Sequence, residues 1–119
     1  MEEAAQEPLE TFSARISFIA LAMCQEEGFF GKNNLSRRNN NPGNLRSWPS
    51  IRSVGGYAVF DTALSGYVAL LEDIRTNKNL TIRNFLFKFS PPNENNTNSY
   101  IDLVCSLTGF QPDEVMDGE

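Results

Sequence analysis

The sequence predicts an α+β domain that is mostly α: about four helices with a small antiparallel β element. Three observations carry this. Four segments show apolar residues at helical spacing, one Gly-Gly turn precedes a short alternating run, and neither internal repeats nor strand–helix–strand alternation occur. At 119 residues the chain is one domain, long enough to bury roughly two-thirds of its unfolded surface.

Residues 1–10 are acidic and nearly featureless, and are expected to be flexible, leaving 11–119 as the folded domain. Phe12, Ile16, Ile19, Ala20, Met23 and Cys24 then fall on one helical face, which Phe18 and Leu21 widen into a well-buried helix. Gly28, just past Glu27, is a natural stop. Positions 28–43 read as loop, rich in Asn and closed by Pro42-Gly43. Asn44-Leu45-Arg46 reads as a short strand, Gly55-Gly56 as a turn, and Tyr57-Ala58-Val59-Phe60 as a second strand.

Asp61 or Thr62 caps the next helix, which runs to Asn77 with Leu64, Val68, Leu71 and Ile74 on one face. Gly66 inside that helix costs up to ~1 kcal/mol against Ala, so a close contact is expected there. Thr81 caps a short helix whose Ile82, Phe85, Leu86 and Phe89 point inward, and Ser90-Pro91-Pro92 ends it. After an amide-rich loop, Thr97 or Asn98 opens the last helix, which shows Tyr100, Ile101, Val104, Cys105 and Leu107 and stops at Gly109. The tail from Gln111 is acidic and reads as loose.

Composition excludes several chemistries. With no His in the chain, Ser-His and Cys-His nucleophile schemes are out, no zinc or other metal site is expected, and no cofactor loop is present. Cys24 and Cys105 read as buried thiols, with a disulfide between their helices as the alternative. No run approaches the ~18 apolar residues of a membrane span, and the acidic first residues do not begin as a signal peptide does. A monomer is expected.

Net charge is −5, yet Gly28 to Phe60 carries Lys32, Arg37, Arg38, Arg46 and Arg52 and no acid, a local +5 that leaves −10 elsewhere. A basic island on an acidic chain points to a local anionic ligand and not to nucleic acid. The bland alternative is a solvated loop whose arginines pair with neighbouring acids.

Glu27 is the sharpest candidate for chemistry. An acid at a helix C-terminus opposes the macrodipole, and such local violations collect at functional sites. Phe29 and Phe30 follow, and a carboxyl held against aromatic surface keeps its proton to higher pH, as a general acid must. The competing explanation is a solvent-facing Glu at a frayed end, and Glu26 is the fallback. Asn39, Asn40, Asn41 and Asn44, with Asn95, Asn96 and Asn98 on a second loop, offer paired donors and acceptors suited to N-acetylated sugars, although Asn also favours turns. Trp48, Tyr57, Phe60 and Tyr100 flank these loops as stacking surfaces or as core.

The segments EEGFF, RNNNPGNLR, YAVFDTALSGYVAL, LTIRNFLFKFSPPNENNTNSYIDLV and TGFQPDE occur in an order that resembles a phage and prophage branch of the lysozyme-like superfamily, whose members resemble soluble lytic transglycosylases. The likeness spans roughly residues 12–115 and is specific only in combination. It implies a lysozyme-like domain acting on peptidoglycan glycan strands in the cell wall. Glu27 would be catalytic, and Asn41, Asn44, Tyr57, Asn96, Thr97 and Tyr100 would bind substrate, with Tyr100 near the Glu27 carboxyl. Where transglycosylases carry Gly-Leu-Met-Gln, this chain has Pro42-Gly43-Asn44-Leu45. Alternatives are a true hydrolase with Asp61 or Glu94 as second acid, a chitin-like substrate, and an inactive glycan-binding or virion structural module.

Overall fold

Four helices open on the same device. Ser13, Thr62, Thr81 and Asn96 each accept, through the side chain, the backbone N–H three residues on, at 3.0 to 3.1 Å, which satisfies a donor that the first helical turn leaves orphaned. The helices they start are α1 (Ala14–Glu26), α3 (Ala63–Thr76), α4 (Ile82–Phe89) and α5 (Thr97–Thr108). The structure is a computed structural model that describes residues 11–31 and 34–118. The acidic segment 1–10, and Lys32 of the basic island, lie outside the described residues. The described residues form an α+β fold, mostly helical, with five helices and one two-stranded sheet.

The fifth helix was hidden in the sequence. α2 (Leu35–Arg38) is a single turn in the stretch read as loop, capped by Asn34, and four polar-rich residues carry no periodicity to detect. The sheet pairs β1 (Ser53–Val54) with β2 (Tyr57–Ala58) across Gly55-Gly56, both with positive φ as a tight hairpin turn requires. Asn44-Leu45-Arg46 forms no strand. Asn44 sits at φ +54° and breaks the extended run, and Leu45 instead accepts the Ala58 N–H at 3.0 Å.

α1 packs against α3 and α5, and α4 against α5. Ile16, Ile19 and Met23 meet Leu70, Leu71 and Ile74 in a core completed by Phe85, Leu86 and Val104. The apolar stripe of α1 is narrower than expected: Phe18 is 53% exposed and Leu21 47%, and Leu64 and Leu107 are likewise exposed. The packing of α3 and α5 on α1 buries Ile16, Ile19 and Met23 and leaves Phe18 and Leu21 in solvent. Cys24 is buried, Cys105 half-buried, and both are free thiols.

The tail is not loose. Met116 is fully buried, its N–H reaches Leu80 O at 2.7 Å, and Asp117 N–H reaches Lys78 O at 3.0 Å. The Arg15 guanidinium donates to the Val115 and Met116 carbonyls, and Ser13 Oγ donates to Asp117. The tail thus closes the α1 and α4 starts, a role its acidic composition concealed. No helix among the described residues is long and apolar enough to cross a membrane.

The Asn40–Asn44 corner presses directly on α3. A Cβ at Gly66 would lie 2.0 Å from Asn40 O, and one at Gly43 would lie 2.7 Å from a Leu70 methyl. The close contact expected at Gly66 is therefore with this loop and not with another helix, and it sets the height at which the loop's side chains project.

Candidate active site

α1 ends by a mechanism that fixes Glu27. Gly28 adopts φ +81°, which lets its N–H reach Gln25 O and the Phe29 N–H reach Cys24 O at 3.1 and 3.0 Å. These two bonds are the Schellman closure of a helix, and they reverse the chain immediately after Glu27. α2 then pins the corner: Ser36 Oγ donates to Glu27 O, Asn34 Nδ2 to Gly28 O and Arg37 Nη1 to Phe29 O. The backbone beneath the Glu27 carboxyl has no slack.

That carboxyl faces α5. The Tyr100 hydroxyl donates to Glu27 Oε2 at 2.8 Å. Tyr100 is 3% exposed, and its ring meets Phe89 edge-on at 6.4 Å between centroids. Burial pushes the Glu27 pKa up to about 7, aided by the charge of Glu26 and opposed by the Tyr100 and Asn44 hydrogen bonds and by Arg46. Burial and the Glu27 charge drive the Tyr100 pKa well above its usual value, so the phenol stays a donor. Phe29 and Phe30 line a separate hollow with Leu64 and Tyr67. The aromatic rings that line the same groove as Glu27 include Phe85 and Phe89.

Glu27 opens into a groove of about 490 Å³. One wall is the Asn44–Trp48 segment with Tyr57, and another is the Ser90–Asn95 loop. Arg46 Nη2 meets Glu94 Oε1 at 2.9 Å, linking the two, and its guanidinium lies 4.7 Å from the Tyr57 ring centroid. A third polar centre joins the end of α3 to α4: Lys88 donates to Asn77 Oδ1 at 2.8 Å, and Asn77 Nδ2 donates to Asp73 O at 2.8 Å. Burial raises the Asp73 pKa against the pull of Lys88.

The residues singled out from sequence divide in two. Asn44, Tyr57 and Tyr100 gather around Glu27, two of them on the groove wall and one on the carboxyl itself. Asn41, expected to touch substrate, is fully buried: its Nδ2 donates to Leu45 O and Ala58 O, and its Oδ1 accepts the Leu45 N–H. It stitches the groove wall to β2 and has no face left for a ligand. Thr97 is also buried, its hydroxyl donating to Ser90 O, and the exposed Asn96 accepts the Ser99 N–H through Oδ1 as the α5 cap, outside the groove lining. Asn95 lines the groove in their place.

Of the candidate second acids, Asp61 is exposed and outside the groove lining, whereas Glu94 is in it but tied to Arg46. The fallback, Glu26, is exposed, and burial raises its pKa. Asp73, Asn77 and Lys88 escaped the sequence reading, because nothing in the spacing of α3 and α4 marks which polar faces converge. Arg46 was visible only as one member of the basic island. The assembled site is a carboxyl whose pKa burial raises to about 7, with one phenol donor, in a groove lined by amides, aromatic rings and two cations. No protein family, curated protein or solved structure with which the chain was compared matches it.

Proposed function

We propose that the chain is a lysozyme-like glycosidase that cleaves the MurNAc–GlcNAc bond of peptidoglycan, acting as a lytic transglycosylase with Glu27 as its single acid–base. One observation carries this: a carboxyl with a pKa of about 7, half-buried at the head of a groove and held by the Tyr100 hydroxyl at 2.8 Å. A carboxyl so poised keeps its proton near neutrality and gives it to a leaving oxygen, an effect worth about 10²- to 10⁴-fold.

In the first step Glu27 protonates the glycosidic oxygen while the bond from that oxygen to the anomeric carbon breaks. The ionised Glu27 then removes the proton of the sugar's own 6-hydroxyl, whose oxygen closes on the anomeric carbon to give a 1,6-anhydro end. The proton returns to Glu27, so one group serves both halves. Tyr100 and the Asn44 amide stabilise the carboxylate between the steps, and their hydrogen bonds do lower the Glu27 pKa. Hydrolysis with a partner carboxylate is less well supported, because Asp61 stands outside the groove and Glu94 is bound to Arg46.

The test is release of muropeptides from purified sacculi by the wild type and by Glu27→Gln. Release that falls about 100-fold or more in the variant, with 1,6-anhydro ends in the wild-type products, is the expected result. Reducing ends would mean hydrolysis. Equal background release from both proteins would mean an inert glycan-binding module.

A further inference from the structure

We infer that Arg46 reads a carboxylate on the glycan, that Glu94 occupies that carboxylate's place on Arg46, and that the groove therefore selects an acidic, muramic-type strand over a neutral GlcNAc polymer. The inference rests on the groove being a glycan site. It goes further by naming the substituent that is recognised and the residue that recognises it.

The position of the pair comes first. Arg46 and Glu94 both line the groove that holds Glu27, yet they belong to walls 48 residues apart in sequence. Arg46 is close enough for its charge to act on the Glu27 carboxyl, whereas the other groove cation, Lys88, acts on Asp73 and is bonded to Asn77. Arg46 is thus the cation beside the reacting end. In a strand that alternates N-acetylglucosamine with its lactyl ether, the lactyl carboxylate, or the stem peptide built on it, hangs from the sugar at the bond attacked.

The geometry of the pair comes second. The Arg46 guanidinium lies over the Tyr57 ring, 4.7 Å from its centroid, a cation–π contact on the groove wall. Among the described residues Glu94 is met through one bond, Nη2 to Oε1, although an Arg and a carboxylate can form two parallel bonds. The side chains are 62% and 48% exposed, so the pair is weakly held and readily exchanged. An arginine that already pairs with a carboxylate at this spot, through half of its capacity and over an aromatic ring, fits a second carboxylate by replacement. The exchange leaves no unpaired charge on Arg46.

The experiment is calorimetric titration of the Glu27→Gln protein, which binds without turnover, with three tetrasaccharides. These are chitotetraose, the alternating GlcNAc–MurNAc tetrasaccharide with free lactyl carboxylates, and the same strand with stem peptides amide-linked to it. Glu94→Gln in that background is expected to tighten an acidic strand by about 3- to 10-fold and Arg46→Gln to weaken it by about 10-fold, with chitotetraose unchanged in both. A response confined to the free lactyl form assigns the carboxylate to the sugar, and one confined to the peptide-bearing form assigns it to the peptide. Either supports the inference. If all three ligands respond equally, the pair is only a strap across the groove and the inference falls while the glycan site stands. If no ligand binds, the glycan site falls and the inference with it. Both residues are exposed, and thermal melts of the two variants check that the fold is unchanged.

Discussion

The Tyr100 hydroxyl donates a 2.8 Å hydrogen bond to Glu27 Oε2 across 73 residues of sequence. It ties the end of α1 to the first turn of α5 and lowers the Glu27 pKa against the larger, raising effect of burial. The bond favours the ionised carboxyl, whereas the Glu26 charge opposes it. The two neighbours therefore predict opposite outcomes. Tyr100→Phe should raise the Glu27 pKa above about 7, and Glu26→Gln should lower it. Titration of the Glu27 carboxyl carbon by NMR measures both signs without requiring turnover, and a shared direction would contradict the arrangement. In activity, the alkaline limb of the pH profile should move with the same signs.

A raised carboxyl pKa is also a statement about stability. Folding lifts Glu27 from the ordinary 4.5 to about 7, so the folded state binds the extra proton between those values. The contribution of the protonated group is complete below pH 4.5 and is lost as pH rises through 7. Glu27→Gln keeps the shape and removes the titration. The variant should then be more stable than the wild type at pH 8 by about 2 kcal/mol, after discounting the shift for the side chain's partial exposure. At pH 4 the difference should vanish. Urea melts at the two pH values check this, and a pH-independent difference would contradict a raised Glu27 pKa.

Gly66 is where backbone contact, not propensity, decides the residue. A Cβ there would lie 2.0 Å from Asn40 O and 2.9 Å from Pro42 Cδ, so Gly66→Ala must push the loop off α3 despite Ala being the better helix former. The expected cost is about 1–3 kcal/mol, the reverse of the usual Gly-to-Ala gain in a helix. Because the same loop carries Asn44, activity should fall by more than the loss of folded protein explains. Denaturant melts and specific activity on the folded fraction separate the two effects.

Asn41 tests the division between wall and groove. Its side chain makes three buried hydrogen bonds to the Leu45 and Ala58 backbone, so Asn41→Ala should cost about 2–4 kcal/mol by leaving those groups unpaired. Asn95→Ala, on the exposed groove wall, should stay within about 0.5 kcal/mol and act on ligand binding instead. Thermal melts beside a chitotetraose titration read both quantities for both variants.

What the sequence could and could not reveal follows the same line. The starts of α3 and α4 were legible because the Thr62 and Thr81 caps act within four residues, whereas the caps of α1 and α5, Ser13 and Asn96, were not read as such. Glu27 stood out as a candidate because an acid before Gly28 breaks a local rule. Asn41 and Thr97 were misassigned because an amide or hydroxyl in a loop looks alike whether its partner is a sugar or the chain's own backbone. Phe18, Leu21, Leu64 and Leu107 were read as buried because periodicity gives the centre of an apolar stripe but not how many helices cover it. Asp73, Asn77 and Lys88 meet only when α3 and α4 are packed, and no local signal precedes that.

The C-terminal segment gives the sharpest contrast between composition and packing. Residues 111–118 look like a solvated acidic tail, yet Met116 is fully buried, Val115 bridges to Thr81, and Arg15 holds two of its carbonyls. Met116→Ala should therefore cost about 2–5 kcal/mol, as for a core methionine, whereas Val115→Ala, 38% exposed in the side chain next to it, should cost under about 1 kcal/mol. Ending the chain after Gln111 removes Pro112, Glu114 and Met116 together with the backbone bonds to Lys78 and Leu80, and should lower the melting temperature further than Met116→Ala does. Because these contacts hold the start of α4, which carries Phe85 and Lys88 into the groove, hydrogen exchange in the truncated chain should quicken first at Ile82 and Arg83. Both donate their N–H groups to the tail, to Glu114 O and Pro112 O, at 2.9 Å. Uniform quickening across all helices would mean instead that the tail acts on global stability alone.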